Sequence, residues 1–150
     1  MSAASVDGSS PLQDIRILIV DSDPPSARLL QAVLEQEGCV FQVATQGAEA
    51  LTAVSEFGPN LVLLELVLPD MPGLDLVRAL KASPAASNVV MLAVTASNGP
   101  ETRRLALEAG CVDYVRKPID ALSFTARLAM HLGKHVESAG ATNPRGSESR

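Results

Sequence analysis

Four kinds of polar group stand where apolar runs end. Asp21, Ser22 and Asp23 follow IRILIV (15–20), and Glu65 is the one polar residue in LVLLELVL (61–68). Thr95 follows VVMLAV (89–94), and Lys117 closes VDYVRK (112–117) just before Pro118. Carboxylates can hold a hard cation or act as nucleophiles, while a hydroxyl and an ammonium can grip anionic oxygens. Any one of these groups has a dull explanation, since chains turn polar where they exit to water. Four of them on one rim would make a site, so the elements that place them decide the matter.

Those elements alternate. The run 15–20 reads as a strand. Asp23 before Pro24 and Pro25 reads as a helix N-cap with proline in the first turn. Leu29, Leu30, Val33 and Leu34 recur at helical spacing until Gly38. Residues 39–45 read as a second strand, ending in Thr45 and Gln46. A second helix over 46–57 turns Ala50, Leu51 and Val54 inward and stops at Gly58-Pro59. The strand carrying Glu65 follows, then the loop LPDMPG and a helix through Leu74, Val77 and Leu80 that ends near Pro84. Residues 89–94 form a fourth strand. Pro100 opens a helix with Leu105 and Ala109 inward, ended by Gly110. VDYVRK is the fifth strand, and the last helix runs from about Asp120 to Val136. Five continuous apolar strands alternating with helices predict an α/β doubly wound parallel sheet covered on both faces. In such sheets the site lies at the carboxyl ends of the strands, near the topological switch point.

Composition agrees with one folded unit. The chain has 150 residues, 47% hydrophobic and 19% charged, with aromatics at only 3%. A core of Leu, Val, Ile and Ala must therefore do the packing. Residues 1–13 and 137–150 read as mobile tails, the second as a tail or linker, leaving a domain over 14–136. The formal net charge of −5 offers no basic surplus for nucleic acid. No apolar run is long enough to span a membrane, and the N-terminus lacks the pattern of a signal peptide, so a cytoplasmic address is expected.

Some chemistries are excluded. No glycine-rich phosphate loop follows the first strand, which argues against a dinucleotide or P-loop protein. His131 and His135 both fall on the last helix, as surface or boundary residues, so no Ser-His-Asp arrangement forms. Arg103 and Arg104 read as a solvated helix face. Cys39 and Cys111 fit no metal or redox spacing and read as small buried hydrophobes.

With these motifs in view, the chain resembles a response regulator receiver domain, the CheY-like domain of two-component signalling. The resemblance covers residues 14–136. ILIVDSDPP is similar to the family's first strand and acidic turn. LVLLELVLPDMPGLDLV is similar to its phosphoacceptor strand and following loop, with Pro69 and Gly73 in place. VTA (94–96) carries the switch threonine, Thr95. EAGCVDYVRKP carries the switch aromatic, Tyr114, three residues before the family's lysine, Lys117. The resemblance implies a flavodoxin-like five-stranded sheet of order 2-1-3-4-5 and a cis bond at Lys117–Pro118. It also implies phosphoryl transfer from a kinase histidine to a receiver aspartate with Mg²⁺ as cofactor. Thr95 and Lys117 would hold the phosphoryl oxygens. A histidine kinase or phosphotransfer protein and a downstream output protein are the implied partners. The face of the fourth helix, fifth strand and last helix would carry output and dimer contacts. The last helix offers Leu128, Leu132 and Val136 as a stripe for a homodimer.

Two positions depart from the family pattern. Glu65 occupies the phosphoacceptor position in place of aspartate. Ser22 replaces the second acidic residue after the first strand, while Asp21 is retained. The extra methylene of Glu65 moves its carboxylate by roughly 1 Å, and a shift of that size can cost about 10²-fold in a positioned reaction. Ser22 brings a neutral oxygen where Mg²⁺ wants charge, so the set Asp21, Ser22 and Glu65 predicts a weak or lost metal site. An ion pair with Lys117 and a hydrogen bond from Thr95 would satisfy Glu65. The expected protein is a pseudo-receiver that acts through protein–protein interaction, with at most residual self-phosphotransfer. In it Glu65 stands in for the phosphorylated state, although one carboxylate carries one charge and a phosphoryl group about −1.5 to −2. The competing readings are an inert Glu65–Lys117 pair, a working Mg²⁺-dependent phosphoacceptor, and more remotely a small flavodoxin-like enzyme.

The implied strand order also speaks to the cysteines. Cys39 starts the second strand and Cys111 the fifth, at opposite edges, whereas a disulfide needs Cα atoms within about 7 Å. The intact mass of the unreduced protein is expected to show no loss of two hydrogens.

Overall fold

The computed structural model describes residues 10–97 and 99–139, with side chains through residue 133. The elements run β1 (Arg16–Val20), α1 (Pro24–Gln36), β2 (Val40–Ala44), α2 (Gly47–Phe57), β3 (Leu61–Leu64), α3 (Gly73–Ala82), β4 (Val90–Thr95), α4 (Pro100–Ala109), β5 (Asp113–Arg116) and α5 (Ala121–Ala139). All strand pairings are parallel and the sheet order is β2-β1-β3-β4-β5. The chain steps outward from β1 to β2, then crosses back over β1 to β3. The switch point therefore lies between β1 and β3, beside Asp21 and Glu65.

Strand alternation divides the core into two halves. Leu18, Val20, Val62, Leu64, Met91 and Ala93 face α2, α3 and α4, whose Ala50, Val54, Leu76, Val77, Leu80 and Ala106 pack on them. Ile17, Ile19, Leu61, Leu63, Leu92 and Val94 face α1 and α5, against Leu30, Leu34, Phe124 and Leu128. Neighbouring side chains in a strand point to opposite faces, so an apolar run must be buried on both. Edge strand β2 differs: only Ala44 of its five residues is buried.

The helix stripes sit slightly rotated from those expected. Leu29 and Leu51 are exposed, while Ala27 and Ala53 join the expected Leu30, Leu34, Ala50 and Val54 among the buried positions. In α4 only Ala106 is buried, with Leu105 and Ala109 half-buried. Alanine at these positions lets a helix lie close to the sheet, a choice that helical spacing alone does not reveal. Asp23 caps α1 as expected, its carboxylate accepting the Ser26 N–H at 3.1 Å. The Lys117–Pro118 bond is cis.

Three expectations need correction. Folded structure begins before residue 14: Leu12 is 1% exposed and belongs to the α1/α5 half of the core. At the other end α5 extends to Ala139, past the expected boundary at 136; residues 1–9 and 140–150 lie outside the described residues. The homodimer stripe fails too, because Leu128 and Leu132 are buried against the sheet of their own chain. The side chains of His135 and Val136 lie outside the described residues. The two cysteines are both free thiols, and burial pushes Cys111 up to about 12 and Cys39 to about 11.

His131 has more company than a boundary residue needs. Asp113 on β5 takes Arg127 in a fork, at 3.0 Å from Nε and 2.6 Å from Nη2, and faces His131 Nε2 at 2.9 Å. Arg127 also donates to the Tyr114 carbonyl at 3.2 Å. This cluster ties α5 to β5. Burial pushes the Asp113 carboxyl upward, but the hydrogen bonds from Arg127, His131 and the Tyr114 N–H outweigh it and hold it below its usual value. A depressed carboxyl stabilises the fold above its unfolded pKa and loses that contribution as pH falls through the folded value. Asp113→Ala is expected to cost roughly 2 kcal/mol at pH 7, and the difference from the parent should shrink in acid. Urea unfolding at both pH values checks this.

Candidate functional site

The strand ends bring the expected residues together. Asp21 follows β1 directly, with its N–H bonded to the Ala44 carbonyl of β2 at 3.0 Å. Glu65 follows β3, with its N–H on the Val20 carbonyl at 2.9 Å. Thr95 is the last residue of β4, and Lys117 follows β5 with its N–H on the Thr95 carbonyl at 3.0 Å. Each polar side chain thus hangs from a backbone that the sheet already holds. Asp21 and Thr95 are buried, Glu65 and Lys117 are partly so, and Ser22 and Asp23 are exposed.

Lys117 sits between the two acids. Its Nζ lies 2.8 Å from Asp21 Oδ2 and 2.8 Å from Glu65 Oε1. Burial works to lower the Lys117 pKa, but the hydrogen bonds and charges of Asp21 and Glu65 prevail and raise it. Glu65 Oε2 accepts the Thr95 hydroxyl and the Val67 N–H, the latter at 3.1 Å. The Thr95 oxygen in turn accepts the Ser97 N–H at 3.2 Å, and the Ser97 carbonyl accepts the Tyr114 hydroxyl. Tyr114 is buried on the α2/α3/α4 side of the sheet. A continuous hydrogen-bond chain therefore runs from Glu65 through Thr95 and Ser97 to Tyr114.

The loop after β3 is fixed from two sides. Gly73 donates to the Leu66 carbonyl at 2.8 Å, and Val67 bridges Pro72. A Cβ on Gly73 would lie 2.5 Å from Leu66 Cα and 2.7 Å from the Glu65 carbonyl oxygen. Asp70 reaches across to the N-terminus of α2, accepting from Gly47 N at 2.8 Å and Ala48 N at 3.0 Å. It supplies the cap that Gln46 does not. Sequence reasoning missed Asp70, Ser97 and Ser26, and missed that Lys117 pairs with Asp21 as well as Glu65. An aspartate in a Pro-rich turn is a visible signal, but its partner is not. Arg103 is exposed, and Arg104 pairs with Glu101 and Glu108 along α4.

Asp21, Ser22, Asp23, Glu65, Val67 and Thr95 line a shallow cavity of about 240 Å³. Mg²⁺ takes oxygen ligands in near-octahedral geometry and usually needs one or two carboxylates. Here both Asp21 oxygens already accept, from Asp23 N–H at 2.9 Å, the Ser26 hydroxyl at 2.7 Å and Lys117. Both Glu65 oxygens are also engaged. Ser22 adds no charge. Among the described residues no three His, Cys, Asp or Glu side chains cluster closely enough to hold a metal ion. The donor set does not fit a divalent cation.

A doubly wound sheet with an acidic turn, a strand-end carboxylate, a threonine and a lysine at its switch point defines a receiver. Residues 17–129 match the model of the response regulator receiver domain, and the chain belongs to that family. It is a receiver domain of two-component signalling. The DNA-binding response regulator MtrA of Mycolicibacterium smegmatis is 42% identical over 122 residues, 81% of this chain and 52% of that protein. The chain thus spans about half the length of such relatives. An uncharacterized 14.6 kDa protein of Leptolyngbya boryana is 35% identical over 111 residues, 74% of this chain and 85% of that one. Among solved structures, a CheY-like receiver from Methanospirillum hungatei superposes with TM-score 0.76 at 28% identity, covering 84% of this chain and 99% of its own. A response regulator structure from Chloroflexus aurantiacus gives 0.77 at 27%, covering 81% and 99%. No described helix is long and apolar enough to cross a membrane.

Removing the ammonium would strand two acids. Lys117→Met is expected to destabilise the fold by about 3 kcal/mol at pH 7. A raised lysine stabilises below its unfolded pKa and loses that contribution as pH rises through the folded value. The parent should therefore weaken at alkaline pH in a way the variant does not. Thermal unfolding from neutral to alkaline pH reads this difference.

Proposed function

We propose that this receiver signals by binding, without a phosphorylation cycle, and that Glu65 stands in place of the phosphorylated acceptor. The observation that carries this reading is the Glu65–Thr95–Ser97–Tyr114 chain. A carboxylate held by Lys117 and Thr95 occupies the place where a phosphoryl group's oxygens would be held. Thr95 faces it, and Tyr114 lies inward with its hydroxyl on the loop after β4. A second-position serine and an Asp21 already engaged by Asp23, Ser26 and Lys117 support the same reading, since phosphoryl transfer depends on a metal to neutralise developing charge. The protein is then a binding module and not an enzyme. Its partners are a kinase or phosphotransfer protein on the input side and an output protein on the other, met in the cytoplasm. The working Mg²⁺-dependent phosphoacceptor is the second reading, favoured by the retention of Asp21, Thr95 and Lys117 around a carboxylate.

Two experiments separate the readings. Incubation with a small-molecule phosphodonor and Mg²⁺ should leave the intact mass unchanged, while a Glu65→Asp, Ser22→Asp variant gains one phosphoryl group. A phosphoryl group mapped to Glu65 in the parent would establish the second reading instead. Tyr114 is the sole tyrosine and there is no tryptophan, so intrinsic fluorescence reports on it alone. If Glu65 holds the switch, Glu65→Gln should make Tyr114 more accessible to acrylamide quenching. Unchanged quenching would mark Glu65–Lys117 as an inert pair.

A further inference from the structure

We propose that Ser26 is a positioning residue that withdraws Asp21 from metal binding, a role that rests on the phosphate-independent reading above. Glu65 and Ser22 are the visible departures at the site, but Asp21 is also engaged. Its Oδ2 accepts the Ser26 hydroxyl at 2.7 Å and Lys117 Nζ at 2.8 Å. Its Oδ1 accepts the Asp23 N–H at 2.9 Å. A carboxylate oxygen offers about two acceptor directions, so Oδ2 is full and Oδ1 is half used.

The three donors are not equally easy to displace. Lys117 ends a flexible stem, and an arriving cation would repel it towards Glu65. The Asp23 N–H leaves one direction of Oδ1 free. Ser26 is different because the first turn of α1 fixes it. Pro24 and Pro25 set the backbone there, and the Ser26 N–H is tied to the Asp23 carboxylate at 3.1 Å. The hydroxyl is short and aimed at Oδ2. Magnesium dehydrates reluctantly and tolerates little distortion, so it would have to break this charge-assisted bond without an equal return. Ser26 thereby holds Asp21 as the partner of Lys117, and with aspartate at both 22 and 65 it would still weaken, without abolishing, the Mg²⁺ binding that phosphoryl transfer needs.

The test uses Mg²⁺ alone, titrated by calorimetry into the full chain and into Glu65→Asp, Ser22→Asp variants that carry Ser26, Ser26→Ala, Ser26→Val or Ser26→Thr. Circular dichroism without metal first establishes that each is folded, and the Ala and Val replacements cover for one another. Removing the hydroxyl should tighten Mg²⁺ binding about tenfold relative to the double variant, the size of one charge-assisted hydrogen bond. Ser26→Thr, which keeps the donor, should bind as weakly as the double variant. Equal affinity with and without the hydroxyl, binding by none of the variants, or a Thr variant as tight as the Ala one would overturn the role of Ser26 alone. Tight binding by the parent chain would overturn both this role and the reading beneath it.

Discussion

The site depends on one largely buried ion triad. Lys117 stands 2.8 Å from an oxygen of Asp21 and 2.8 Å from an oxygen of Glu65, joining the ends of β1, β3 and β5. Two acids this close would repel each other strongly in a poorly solvated place. The ammonium makes the pair tolerable, and it can do so only because three separate strands deliver the groups in register. Such a triad is weak evidence for stability in itself, since desolvation offsets much of the attraction. Its consequence is geometric. It sets where Glu65 points, and Thr95 and the Val67 N–H then close around the other oxygen.

From Glu65 the order passes outward. The Thr95 hydroxyl donates to the carboxylate, its oxygen fixes the Ser97 N–H, and the Ser97 carbonyl meets Tyr114. Behind Tyr114, Asp113 and Arg127 bind β5 to α5. The strand-end site is therefore continuous with the β5–α5 surface through hydrogen bonds, with no element left to float between them. On the proposed reading this continuity is how a fixed charge at the rim sets the shape presented to a partner. The same tightness explains the poor fit to a cation. Both oxygens of Asp21 and both of Glu65 already accept from protein donors, so a metal would compete with them.

Much of the architecture was legible because burial on two faces leaves a distinctive mark. Runs such as LVLL and VMLAV can be nothing else in a small α/β chain, and Asp23 before two prolines announces α1. Helix faces were less legible. Leu29 and Leu51 fit the spacing yet face water, because Ala27 and Ala53 let the helices approach the sheet. Leu12 sits in a Ser-rich segment with no periodic neighbours, so nothing local marked it as core. Leu128 and Leu132 were visible as a stripe, but a stripe does not say which surface covers it.

Residue types and their order along the chain determined the fold class, the family and the identity of the unusual groups, Glu65 and Ser22. Each of those is a local property: a run, a cap, a substitution at a recognised position. Tertiary structure alone decided that Lys117 serves two acids, that the Ser26 hydroxyl donates to Asp21, that Asp70 caps a helix some twenty residues before it, and that His131 meets Asp113. Hydrogen bonds form between atoms within about 3 Å of each other, and separation along the chain carries no such distance. Only the folded sheet, which places the ends of β1, β3, β4 and β5 side by side, turns those residues into one site.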